Sequence, residues 1–106
     1  MKTVITSQGS DLGSTFDLRF GRGAYFCIYN DETKDSSFIK NEFAEVQGGA
    51  GTKASEKMIE LGVTKVISGD FGPKAKDLLN QFNIQMVILE DEEKKIAEII
   101  ELMSNN

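Results

Sequence analysis

The sequence predicts an α/β protein of three layers, in which a mixed five-stranded sheet lies between helices. Its apolar patterns follow the order β-β-β-α-β-α-β-α, and the second half of the chain alternates short β-branched runs with helical stripes. Strands joined through helices form right-handed crossovers, which place the helices on the faces of the sheet. A length of 106 residues with 40% hydrophobic content is typical of one core, so we expect a single domain over residues 1–106.

Three strands are predicted in the first half of the chain. Residues 2–7 carry β-branched side chains at their central positions and stop at a polar Gln-Gly-Ser turn. Residues 24–29 place large apolar side chains on both faces, as in a strand that is covered on two sides. A third strand is predicted through residues 38–43, where charged neighbours favour the edge of the sheet.

Three helices and two strands are predicted in the second half. Gly62 is placed to end the first helix, Pro73 lies in the first turn of the second, and Asp91 is placed to cap the third. Strands are predicted at residues 63–68 and 84–89, between these helices. The predicted buried positions are Ala50, Ala54, Met58 and Leu61 in the first helix, Ala75, Leu78, Leu79 and Phe82 in the second, and Ile96, Ile99, Ile100 and Met103 in the third.

The charge balance argues against a nucleic-acid-binding function. Seventeen acidic and twelve basic residues give a net charge of -5, whereas proteins that bind by neutralising phosphates are basic. No apolar run approaches the ~20 residues that a membrane helix needs, and the first residues lack the apolar core of a signal peptide. We therefore expect a cytoplasmic protein that binds neither nucleic acid nor membranes.

The scarcity of His and Cys restricts the chemistry further. The chain has no His, and its one Cys, Cys27, lies inside an apolar run. Zinc and copper sites normally use these two residue types, and so do Ser/His and Cys/His nucleophile pairs. We expect no catalytic and no metal-ligating residues, and we interpret Cys27 as a small buried hydrophobe.

The segment between the first two predicted strands, residues 8–23, is long for a connection in a small domain. Its apolar side chains predict an ordered loop rather than a solvated linker. The loop ends in Arg-Phe-Gly-Arg-Gly, where Arg19 and Arg22 offer forked donors to an anion. The alternative is that one or both arginines pair with local carboxylates such as Asp11 or Asp17.

Two glycine-rich segments each open a predicted helix. Gly48, Gly49 and Gly51 precede or begin the first helix together with Thr52, and Gly72 precedes the second. Helix starts present unpaired amides and a partial positive charge to anions, and open sheets place ligands beyond the carboxyl ends of their strands. The alternative for each segment is an ordinary tight turn without a ligand, and this alternative is favoured for the segment at Gly72.

Several of these residues also occur together in a known family. The Arg-Phe-Gly-Arg motif at 19–22, the Tyr-Phe pair at 25–26, the Gly-Gly-Ala-Gly turn at 48–51, and the positions 62–63 and 72–73 resemble the dinitrogenase iron-molybdenum cofactor biosynthesis family. The resemblance implies a ribonuclease-H-like fold and a role in carrying or inserting iron-molybdenum or related metal-sulfur clusters. Many relatives have His at the position of Arg19, and some have Cys at that of Gly23, so direct coordination of a cluster is not expected here.

Four functional hypotheses follow. The first is a non-catalytic carrier that binds an anionic metal-sulfur cluster and cooperates with a cluster biosynthesis or acceptor protein. The second is a module for a small phosphate- or carboxylate-bearing metabolite, the third is a protein-interaction module, and an enzyme is the last. The oligomeric state is left open. The candidate ligand-binding residues are Arg19, Phe20, Gly21, Arg22, Gly48, Gly49, Gly51, Thr52 and Gly72.

Overall fold

A computed structural model describes residues 1–104 of the chain. It contains five strands and three helices in the order β-β-β-α-β-α-β-α. Their bounds are β1 Lys2–Ser7, β2 Tyr25–Asn30, β3 Ser36–Lys40, α1 Ala50–Leu61, β4 Val63–Ser68, α2 Pro73–Gln81, β5 Gln85–Ile88 and α3 Ile96–Ser104.

The five strands form one mixed sheet with the spatial order β3-β2-β1-β4-β5. β1, β2 and β3 pair antiparallel, whereas β4 lies parallel to β1 and β5 lies parallel to β4. The helix α2 connects the parallel neighbours β4 and β5 as a crossover, whereas α1 connects β3 to β4, which are separated in the sheet by β2 and β1. The predicted mixed five-stranded sheet is therefore confirmed.

The sheet is covered on both faces, and the alternation of side chains along β1 illustrates why. Val4 lies in an apolar cluster with residues of α1 and α2, and the next residue, Ile5, lies in a second cluster with residues of α3. Successive side chains of a strand point to opposite faces, so one strand contributes to both cores. The layers are α1 and α2, then the sheet, then α3, which confirms the three-layer prediction.

The end of β3 differs from the sequence prediction. We predicted a strand that reaches residue 43, but β3 ends at Lys40. The side chain of Asn41 is the reason, because its Oδ1 accepts a hydrogen bond of 3.0 Å from the backbone N–H of Phe43. Such a local bond turns the chain and competes with strand pairing.

The prediction that Asp91 caps the last helix was wrong. Its Oδ1 accepts from the backbone N–H of Glu93 at 3.1 Å, which forms a separate turn before the helix. α3 begins only at Ile96, where the long loop between β1 and β2 supplies partners. The backbone carbonyls of Ser14 and Leu12 accept from the N–H groups of Ile96 and Ala97 at 2.9 and 3.0 Å.

The predicted burial of Phe82 was also wrong. The side chain is 53% exposed, whereas Ala75 and Leu79 of the same predicted stripe are buried. α2 ends at Gln81, and Phe82 has a φ of -103°, which takes its side chain off the helical stripe. Within residues 1–104, none of the helices is sufficiently long and apolar to cross a membrane.

Candidate anion-binding cleft

A cleft of ≈ 420 Å³ lies where three segments of the chain meet. One segment is the turn before β2, the second is the start of α1, and the third is the connection from β4 to α2. The lining residues are Gly21, Arg22, Gly49, Ala50, Gly51, Asp70, Phe71 and Gly72. Five of the nine candidate ligand-binding residues are in this set: Gly21, Arg22, Gly49, Gly51 and Gly72.

Both helices that begin at the cleft have uncapped starts. Neither Gly49, the N-cap of α1, nor Gly72, the N-cap of α2, has a side chain to accept from the first amides, and neither helix has an acidic residue in its first turn. The first amides of a helix lack intrahelical partners and carry part of the positive end of the helix dipole. The cleft therefore presents two amide-rich, electropositive helix ends to the same space.

The start of α1 depends on two glycines in the left-handed region. Gly48 has a φ of 82° and Gly49 a φ of 73°, and no atom lies within 4 Å of where a Cβ would be at either position. Space alone would admit a side chain, but this backbone conformation disfavours one by about 1–2 kcal/mol per residue. The left-handed pair reverses the chain and leaves the side of the helix start unobstructed by side chains.

Gly21 closes one wall of the cleft by direct backbone contact with α1. A Cβ at this position would lie 2.7 Å from the Gly51 nitrogen and 2.9 Å from its Cα, so only glycine fits without a shift of the backbone. The contact brings the neighbouring Arg22 next to the helix start. The glycine in the Arg-Phe-Gly-Arg motif therefore allows close packing of two backbone segments.

Arg22 is held by the turn that precedes α1. Its NH1 donates to the backbone carbonyl of Ala44 at 3.2 Å and to that of Val46 at 2.5 Å. Within residues 1–104 the guanidinium makes no further hydrogen bond, which leaves the donors on Nε and NH2 for another acceptor. Arg22 thus carries a fixed positive charge with spare donors into the lining of the cleft.

Arg19 is engaged differently. Its Nε and NH2 donate to the two carboxylate oxygens of Asp17, each at 3.1 Å, in the bidentate arrangement that arginine favours. The carboxylate is 3% exposed, and this partner raises the pKa of Arg19 above its ordinary value. The alternative of a local ion pair therefore applies to Arg19 and Asp17, whereas Arg22 forms no ion pair in the described chain.

The remaining candidates lie outside the lining. Phe20 is 1% exposed, and its ring packs against those of Phe26 and Phe71 at centroid distances of 6.2 and 5.1 Å. Gly48 precedes the N-cap of α1, and Thr52 lies in its first turn. Phe20 supports the cleft from the apolar core, because it packs against Phe71, which is one of the lining residues.

Sequence reasoning missed Asn41. This side chain is 2% exposed, and its Nδ2 donates to the carbonyl oxygens of Gly21 and Gly23, both at 2.9 Å. Through these bonds Asn41 fixes the turn that carries Arg22, and through its bond to Phe43 it begins the turn that holds Arg22 by its carbonyls. The available signal was an Asn after a short strand, which is typical of a local side-chain turn.

Cys27 lies away from the cleft. It is fully buried in the cluster between the sheet and α3, and burial raises the pKa of its thiol to about 12. A thiolate is the form that binds metal, so the buried neutral thiol is unsuited to be a ligand. Residues 1–104 hold no group of three or more potential metal-ligating His, Cys, Asp or Glu side chains.

The profile of a protein family matches residues 1–106, and its description is dinitrogenase iron-molybdenum cofactor. The chain belongs to the dinitrogenase iron-molybdenum cofactor family. This result confirms the resemblance that the arginine and glycine motifs indicated. A search of curated proteins gives no match.

Two solved structures have the same fold as this chain. The apo form of the orange protein from Desulfovibrio gigas has a TM-score of 0.87 and 24% identity, over 98% of this chain and 87% of that one. A NifB-like protein of the DUF35 family from Thermotoga has a TM-score of 0.83 and 28% identity, over 99% of this chain and 88% of that one. The shared architecture extends over nearly the whole of each chain.

Proposed function

We propose that this protein is a non-catalytic carrier or chaperone that binds an anionic metal-sulfur cluster in the cleft. The observation that carries the proposal is the meeting of two uncapped helix starts and the Arg22 guanidinium around one space. Membership of the dinitrogenase iron-molybdenum cofactor family supports a cluster as the cargo. Cluster biosynthesis or acceptor proteins are the proposed partners.

The donor set suits a cluster that is held by hydrogen bonds. Sulfides and oxo groups at the surface of an anionic cluster are acceptors, and the cleft offers backbone amides and guanidinium N–H groups. The lining contains no Cys or His that would coordinate a metal directly. Hydrogen-bonded cargo exchanges more readily than coordinated cargo, which is the property that a carrier requires.

Arg22 has the leading role in this proposal. Because NH1 is bound to two carbonyls, the guanidinium is oriented before a ligand arrives, and little side-chain entropy is lost on binding. The amides at the starts of α1 and α2 add partial positive charge without a mobile side chain. Arg19 is close to Arg22 in sequence, but Asp17 engages its guanidinium. We therefore assign Arg19 a role in positioning the loop and not in binding the ligand.

Anaerobic titration of the whole chain with tetrathiomolybdate tests the proposal. We expect saturable binding by absorption, with amide NMR shifts concentrated at residues 21–22, 49–52, 70–72 and 74–75. Arg22→Ala should weaken binding about 10-fold or more, because a charge-assisted hydrogen bond contributes about 1.5–3 kcal/mol. Arg22→Lys should fall between, since it keeps the charge and loses the fork.

Lys2→Ala is the matched control, because it removes one exposed positive charge at the amino end of β1, away from the cleft. Its affinity should remain within about twofold of the unaltered protein, as expected for a distant screened charge. Equal losses in the Arg22 and Lys2 variants would mean that binding depends on net charge alone. Unshifted amides at the two helix starts would contradict the proposed location.

A phosphate- or carboxylate-bearing metabolite is the second candidate ligand. The same observation favours it, since backbone amides and a guanidinium bind oxygen anions as well as sulfur ones. Titration in air with inorganic phosphate, without iron or molybdenum, separates the two. Phosphate binding at the same amides together with no response to tetrathiomolybdate would select the metabolite.

Three further proposals concern the fold label, the number of domains and the location of the protein. The spatial order β3-β2-β1-β4-β5 supports the ribonuclease-H-like label that the family resemblance implied. The two clusters that share the strands of one sheet support a single domain over the described residues. The cytoplasm is the proposed location.

A further inference from the structure

Asp70 is the one acidic residue among those that line the cleft. It follows β4 and precedes Gly72, the N-cap of α2, by two residues. The residue is exposed, and within residues 1–104 its carboxylate forms no ion pair and accepts no hydrogen bond. An unneutralised carboxylate therefore shares the cleft with Arg22 and the two helix starts.

This charge opposes the rest of the site. A ligand that is anionic over its whole surface is attracted by Arg22 and by the helix amides, and it is repelled by Asp70. A site built only to hold a bare anion gains nothing from a carboxylate at that place. The repulsion becomes an attraction when the ligand presents an electropositive group toward the start of α2.

We propose that Asp70 is a specificity-determining residue, which makes the cleft select an anion that carries an exposed cationic centre over a bare anion. The inference rests on the proposed function and narrows its ligand class. In a cluster, the cationic centre is a metal ion with an open position, which the carboxylate attracts electrostatically. In a metabolite, it is an ammonium group.

The cluster arm compares tetrathiomolybdate alone with tetrathiomolybdate plus iron(II), under anaerobic conditions and at low ionic strength. The unaltered protein should bind the iron-containing mixture about 10-fold more tightly than the bare anion. Asp70→Asn removes the charge with little change of shape. It should bind bare tetrathiomolybdate about 3- to 10-fold more tightly than the unaltered protein and lose the preference for iron.

The metabolite arm compares inorganic phosphate with phosphoethanolamine, which carries an ammonium group. A preference for phosphoethanolamine that disappears in Asp70→Asn identifies the cationic centre as organic, whereas a preference seen only with iron identifies it as a metal. Asp70→Glu keeps the charge and should keep most of the preference. Asp77→Asn, which removes an exposed charge on α2 outside the cleft lining, should leave all affinities unchanged.

Three results overturn the inference, and they differ in what they mean for the carrier proposal. If the bare anions bind through Arg22 but Asp70→Asn has the same affinities and preference as the unaltered protein, Asp70 has no selective role and the carrier proposal stands. If neither protein binds any of the probes, the proposed function fails and the inference fails with it. Weaker binding of bare anions by Asp70→Asn would also contradict the inference, because the carboxylate would then assist anion binding.

Discussion

The first amides of α3 have hydrogen-bond acceptors supplied by the rest of the chain, whereas the starts of α1 and α2 have no side-chain caps. At α3, the carbonyls of Ser14 and Leu12 accept from the first amides, and Glu98 accepts from the N–H of Lys95 at 2.8 Å. At α1 and α2, glycines occupy the N-cap positions, and neither helix has an acidic first-turn residue or a side-chain cap. The chain thus satisfies one helix start internally and leaves two open at the cleft.

This difference is the reason that we place the proposed anion site at the cleft. A glycine N-cap costs only about a few tenths of a kcal/mol of helix stability relative to a Ser or Asp cap, so two open starts at one cleft are kept at little cost. In the proposed function, the anionic ligand takes the place of the side-chain cap. At α3 the loop already fills that place, and the same face holds the neutral Cys27 in an apolar cluster.

The largest expected effect concerns the wall that Gly21 forms against α1. Gly21→Ala should lower the free energy of unfolding by about 3 kcal/mol, the upper end of the usual cost of overpacking, because its Cβ meets backbone atoms of Gly51. Urea denaturation measures the change. Gly72→Ala is the control, since nothing lies within 4 Å of its added Cβ and its φ is -64°.

The control should differ from the unaltered protein by less than about 1 kcal/mol, which is the scale of an N-cap change. Similar losses at Gly21 and Gly72 would show that the two helix starts respond to any side chain. The contrast between a closed wall and an open helix start would then not hold.

The second effect tests the buried state of Cys27 beneath α3. Burial raises the pKa of the folded thiol from 9.0 to about 12, so above pH 9 the unfolded chain releases a proton that the folded chain retains. The stabilising contribution is complete below pH 9 and is lost as pH rises toward 12, by at most about 1.4 kcal/mol per pH unit. The measurement is the difference in unfolding free energy between the unaltered protein and Cys27→Ala from pH 7 to 10.5.

Every other group contributes to both proteins, so its contribution cancels in the difference. A difference that stays constant from pH 7 to 10.5 would mean that the folded thiol ionises as freely as the unfolded one. Cys27 would then be accessible, and the separation between a chemically inert α3 face and the cleft would fail.

Sequence reasoning succeeded where local pattern decides the structure. The stripe of α1 with Gly62 at its end, the turn at Gly48 and Gly49, and the helix start after Gly72 are all specified by neighbouring residues. These features provide four of the eight residues that line the cleft, Gly49, Ala50, Gly51 and Gly72. Half of the lining was therefore predictable from local sequence.

The remaining features depend on partners that lie far away in sequence. The start of α3 is set by carbonyls of Ser14 and Leu12, so a cap predicted from Asp91 alone was misplaced. The guanidinium of Arg22 is held by Ala44 and Val46, which no periodic pattern links to it. Tertiary contacts of this kind override local propensity, and a single sequence does not reveal them.

The third prediction concerns a charged N-cap on α2, which has no side-chain cap of its own. Gly72→Asp should raise the free energy of unfolding by about 0.5–1 kcal/mol, because the N-cap already has an extended backbone and open space around it. The same carboxylate should lower the affinity for tetrathiomolybdate about 10-fold by occupying the amides. An Asp that stabilises the helix while leaving anion affinity unchanged would show that the start of α2 is outside the site.

The smallest effect is expected at α3, where the acid is native. Glu98→Ala removes the acceptor for the Lys95 N–H and a negative charge from the first turn, and it should cost about 0.5–1 kcal/mol of stability. Glu98→Gln keeps an acceptor and should lose about half as much. Neither variant should change the affinity for tetrathiomolybdate by more than about twofold, since α3 lies on the opposite face of the sheet. Loss of anion affinity in Glu98→Ala would mean that α3 communicates with the cleft, because the loop that caps α3 also carries Arg22.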